Sequence, residues 1–172
     1  MKVYVGTYAK YNKASLEGAW LDVSDYSDKE EFLEACRDLH NDESDPELMF
    51  QDFDTDSPVP KDFYGECHIE ERIWDFLKLS EEDQNLVFAY KQDASFLRCE
   101  DVSDVLSEAN DHLVGVGNSE REIVEWSVDD CGMLDDMPDH LRSYFDMGDY
   151  VRDFMFGHFS TRVDGKVYVF SY

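Results

Sequence analysis

Basic residues are scarce in this chain of 172 residues. Its 15 Lys and Arg stand against 41 Asp and Glu, for a formal charge of −26. That imbalance excludes a protein that binds nucleic acid or an anionic membrane surface directly. No apolar run is longer than a few residues, so no membrane span is expected. The four cysteines, Cys36, Cys67, Cys99 and Cys131, form no C-x-x-C pair, which leaves no zinc or redox motif. A secretory leader pattern is also missing, so reduced thiols and a cytoplasmic location are expected. The fingerprints G-x-S-x-G, P-loop and G-x-G-x-x-G do not occur, and none of the five histidines falls in H-x-x-x-H or H-E-x-x-H. Asp52, Asp54 and Asp56 start like a calcium loop, but Ser57 and Phe63 stand where such a loop needs Gly and a bidentate Glu. Enzymatic activity, cofactors and metals therefore find no support.

What is present argues for a fold. Pro and Gly number 4 and 9, aromatics make up 15% and the hydrophobic set 42%. Disordered acidic chains lack such aromatics. Alternation over residues 2–9 predicts a strand, followed by a polar loop and a second strand near 19–23. Ser27 with Glu30 reads as a capping box for a helix to about His40, with Phe32, Leu33, Cys36 and Leu39 on one face. A third strand is expected at 48–53, and a linker at 54–61 around Pro58 and Pro60. Helical spacing joins Ile69, Ile73, Trp74 and Leu77. Ser80 with Asp83 caps a further helix, and another is expected after Ser103. A short strand at 113–116 leads to a helix capped by Ser119 with Glu122. Pro138 and Asp146 open two more helices, and a Val-Asp-Gly-Lys turn starts the last strand at 166–171. Tyr4, Trp20, Trp74 and Trp126 are assigned to cores, with a partner contact as the alternative, and His40 to a charge at a helix C-terminus or to the surface.

The charge is spread evenly. Segments 1–61, 62–103 and 104–172 carry net −9, −7 and −10. An acidic tail would concentrate the charge instead. Glu30, Glu34 and Asp38 lie four apart on the first helix, beside Glu31, so successive carboxylates are about 6 Å apart along the axis. Asp22, Asp25 and Asp28 precede this stripe, and Asp42, Glu43 and Asp45 follow it. The middle segment adds Glu70, Glu71, Asp75, Glu81, Glu82, Asp83, Glu100 and Asp101. The last adds Asp104, Glu108, Asp111, Glu120, Glu122, Glu125, Asp129 and Asp130. A folded surface of this kind is suited to take the place of DNA on a DNA-binding protein. At one charge per ~1.7 Å, −26 matches about 13 base pairs, or about 44 Å of duplex.

The segments 3–12 (VYVGTYAKYN) and 15–22 (SLEGAWLD) resemble the N-terminal signature of ArdA-type antirestriction proteins. Residues 36–40, 45–52, 73–77, 144–146 and 150–153 extend the resemblance across the chain. It implies a DNA mimic, carried by mobile genetic elements, that occupies the DNA-binding channel of type I restriction–modification enzymes. The implied fold is α+β (mixed α/β), elongated and in three small parts. These would be an α/β part at 1–61, a mainly helical part at 62–103 and a mixed part at 104–172 with a homodimer contact. An acidic adaptor for basic DNA-associated proteins is the alternative that the same surface leaves open.

Overall fold

A computed structural model describes residues 1–93 and 101–172. The chain is mixed α+β, and its described residues gather into two compact units, Met1–Gln84 and Asn85–Tyr172. No described helix is long and apolar enough to cross a membrane.

In the first unit, β1 (Lys2–Thr7) lies between β2 (Ala19–Asp22) and β3 (Leu48–Asp54), antiparallel to both. The alternation seen in the sequence sets its faces, with Val3 and Val5 buried and Lys2 exposed. β1 stops at Thr7, two residues before the expected end. The Thr7 hydroxyl accepts from the Lys10 N–H at 3.2 Å and caps a short helix, α1 (Tyr8–Asn12), where a loop was expected. β2 passes very close to β1: a Cβ on Gly18 would lie 2.2 Å from the Val5 carbonyl oxygen, so only glycine fits there.

α2 (Lys29–Leu39) packs on one face of this sheet. Its cap is Asp28, one residue later than the sequence reading. Asp28 accepts from the Glu31 N–H at 2.9 Å, whereas Ser27 donates its N–H and hydroxyl to the Glu31 carboxylate at 2.7 and 2.6 Å. The Phe32 ring is the centre of the core, 5.4 Å from Tyr26, 6.2 Å from Phe50 and 6.0 Å from Trp74. His40 is buried at the end of α2 and is no surface charge. Lysine has no acceptor, so Nδ1 accepts from the Lys10 ammonium at 3.1 Å and Nε2 donates to the Val5 carbonyl at 3.3 Å. The segment 55–63 buries Val59, Pro60 and Phe63. After it comes a small hairpin, β4 (Tyr64–Gly65) and β5 (His68–Ile69), so Ile69 belongs to a strand and not to the following helix. α3 (Arg72–Leu77) begins only at Arg72, and α4 (Glu81–Tyr90) carries the division between the units.

The second unit contains α5 (Val102–His112), β6 (Leu113–Gly117), α6 (Glu120–Asp130), α7 (Asp139–Arg142), α8 (Met147–Phe154), β7 (His158–Val163) and β8 (Lys166–Ser171). The sheet order is β6–β8–β7, all antiparallel. β7 was not foreseen. It pairs with β8 through Asp164 (φ 46°) and Gly165 (φ 77°), the left-handed pair that a tight hairpin needs. Ile123 of α6 packs on Val167 and Val169 to form the core. Tyr90 meets the Phe170 ring edge-on at 5.3 Å.

Candidate functional site

None of the described aspartates and glutamates is buried. The buried polar side chains are Thr7, His40, Asn85 and Lys91. Apolar and aromatic residues fill both cores, so the carboxylates form a surface in each unit. This follows from the expense of removing an unpaired charge from water.

On α2, Glu30, Glu34 and Asp38 are exposed on the side opposite buried Phe32 and Cys36. None of the three pairs with a described cation. Like charges four apart destabilise a helix by about 0.2–0.5 kcal/mol per pair, and Asp38 also faces the negative end of the helix dipole. Both ends of the row continue it. Asp25 and Asp28 are exposed before the helix, and Asp42 and Asp45 after it.

Other acids near α2 are structurally engaged. Half-buried Asp22 accepts from the Ser24 N–H at 3.1 Å and lies 3.5 Å from the N-terminal ammonium. Burial pushes its carboxyl up, but the Ser24 N–H and the ammonium outweigh that and hold it below the usual range. The bonds from Ser27 hold Glu31 low. Asp42 is held low mainly by its 2.8 Å bond from Lys10. Glu43 is half-buried and accepts from the Thr7 hydroxyl at 2.7 Å.

Glu70 and Glu71 precede α3, and Asp75 on it pairs with Lys78 at 3.1 Å. Glu81, Glu82 and Asp83 fill the first turn of α4, where the helix dipole favours them. Ser80 caps that turn as expected, accepting from the Asp83 N–H at 3.2 Å.

In the second unit, Asp101, Asp104 and Asp111 are exposed along α5. Glu108 is half-buried and accepts from the Tyr90 hydroxyl at 3.5 Å. Glu100 lies outside the described residues. On α6, Ser119 accepts from the Glu122 N–H at 3.2 Å, and Glu122 accepts in turn from the Asn118 N–H at 2.6 Å. Glu120 is tied to the Ser160 hydroxyl, and Glu125 to Arg121 at 2.6 Å. Asp129 and Asp130 are exposed in the last turn, the unfavourable end for an anion.

Three groups of exposed residues stand outside the predicted acidic surface. Trp20 and Trp126, assigned to cores, are 46% and 58% exposed. Asp52 and Asp54 are exposed on β3, and their spacing of two on a strand was the available signal. Asp135, Asp136, Asp146 and Asp153 are exposed around α7 and α8. Among the described residues, no cluster of His, Cys, Asp and Glu is arranged to hold a metal ion.

Residues 3–168 match the family model described as antirestriction protein (ArdA). No curated protein matches the chain.

Proposed function

The chain belongs to the ArdA antirestriction family, and from that premise we propose that it works as a DNA mimic. Its carboxylates occupy the basic DNA-binding channel of a type I restriction–modification enzyme and exclude DNA by competition, without chemistry of their own. The supporting observation is the unpaired row Glu30, Glu34 and Asp38 on the solvent side of α2. Glu34 and Asp38 serve neither the core nor the helix, only Glu30 gaining from the dipole in the first turn, and like charges four apart lower the stability of the element that bears them. An anionic row at ~6 Å intervals suits cations that otherwise meet phosphates. Further acids in both units extend the same character, so the effect is shared among many side chains.

Titrating the protein into a type I restriction–modification enzyme loaded with labelled DNA tests the reading. DNA is expected to leave as protein is added, and displacement is expected to weaken as salt rises. DNA that stays bound at every ratio in moderate salt would refute it.

The functional species is proposed to be a homodimer joined through the second unit. β6 is an edge strand, and Val116 on it and Trp126 on α6 are 46% and 58% exposed. An open strand edge beside exposed apolar side chains is a natural pairing surface.

A further inference from the structure

α2 covers one face of the β2–β1–β3 sheet through Phe32 and Phe50. The other face is built by alternate residues of the three strands, and the register arranges them in two rows. Trp20, Tyr4 and Asp52 form one row, and Asp22, Lys2 and Asp54 the next. With strands ~4.8 Å apart, each row is about 10 Å across.

The first row is organised but uncovered. Trp20 is 46% exposed, although burying such a ring is favourable. Its position is nevertheless supported. The Tyr4 ring meets it edge-on at 5.4 Å and 70°, and the Tyr4 hydroxyl is anchored on the Leu16 carbonyl at 2.8 Å. Gly18 permits the close approach that brings β2 alongside. The Trp20 indole N–H has no described partner. Asp52 accepts from the Phe53 N–H at 2.9 Å with one carboxylate oxygen, and the second has no described partner. Lys2 stands between Asp22 and Asp54 in the second row, so the uncompensated carboxylate beside the rings is Asp52.

A π-face next to a carboxylate matches one side chain best. Arginine stacks on aromatic rings and donates two parallel N–H bonds to a carboxylate, and a lysine ammonium does neither as well. A basic DNA-binding channel supplies arginines, and this chain of charge −26 attracts them. We infer that the Trp20–Tyr4 face receives an arginine side chain of the enzyme, its guanidinium stacked on the exposed Trp20 ring and drawn to the row by the Asp52 carboxylate at its far end. The inference rests on the DNA-mimic reading and adds an aromatic contact to it.

Competition titrations with Trp20→Ala, Trp20→Leu and Trp20→Phe test it at several salt concentrations. Leu keeps an apolar side chain against Tyr4 but has no π-face, which guards against loss of folding in the Ala variant. Ala and Leu are expected to compete about thirtyfold more weakly, the scale of one desolvated cation–π contact, and Phe close to wild type. The salt slope is expected to stay unchanged, because no charge is removed. Wild type that displaces DNA no better than Trp20→Leu would overturn the inference and leave the mimicry standing. Wild type that displaces no DNA at all would overturn both. Sedimentation of the same variants completes the test: if losing the Trp20 ring separates a dimer, this face binds a second copy and the inference fails.

Discussion

Asp28 has an extended backbone, φ −156° and ψ 178°, and its carboxylate closes the first turn of α2. It belongs to the acidic surface and to the helix at the same time. Asp28→Ala is expected to lower stability by about 1 kcal/mol, the usual loss of an N-cap. Urea denaturation reads that loss, while competition with DNA should weaken only by the share of one charge. The sequence showed a cap in this region but placed it on Ser27. Both residues are good caps, and the choice depends on which side chain reaches the Glu31 N–H. Core residues were easier to read. Phe32 and Cys36 fall on the predicted apolar face, and burial pushes the Cys36 thiol up to about 12, which makes it a packing group and a poor nucleophile. The two exposed tryptophans were not legible, because hydrophobicity alone cannot separate a ring in a core from a ring held at a surface.

α2 sets stability against charge. Replacing both Glu34 and Asp38 with their amides removes two exposed anions from one row and relieves the repulsion with Glu30. The double variant is expected to be more stable by several tenths of a kcal/mol, about 0.2–0.5 per relieved pair. It is also expected to displace DNA less well and with a shallower salt slope. Denaturation and competition should thus move in opposite directions, and a loss of both would mean that the row supports the fold. Elements with a long periodic pattern and a capping residue, such as α2, α6 and β8, were legible from sequence. Three others were not. α1 rests on the local Thr7 cap, and the β4–β5 hairpin and β7 depend on partners farther off: the 2.8 Å bond from the Phe50 N–H to the Glu66 carbonyl, and pairing with β8. Of the acidic surface, the helical rows could be read from four-residue spacing. The strand acids Asp52 and Asp54 carry the two-residue spacing of one strand face, but which row each joins depends on the register of the sheet.

For the whole molecule, the charge of −26 bears on self-association. Two copies repel each other over a range of about 30 Å at 10 mM salt and about 8 Å at 150 mM. Dimerisation through β6 and Trp126 is therefore expected to tighten as salt rises, opposite to the trend for binding the enzyme. Sedimentation across that range reads the difference, and Trp126→Glu should run as a monomer throughout. A dimer that loosens with salt, or survives Trp126→Glu, would place the contact elsewhere. Finally, because none of the described aspartates and glutamates is buried, the residues that fill the cores and those that carry the negative charge are separate sets. An acid lost at one surface position can be replaced by an acid at another without disturbing a core. On the DNA-mimic proposal the total charge then outweighs most single acids, the exceptions being those that cap or anchor the fold, such as Asp28, Asp22 and Glu43. If the chain works as the proposed DNA mimic, such a surface is hard for an enzyme to escape by altering any one of its own contacts.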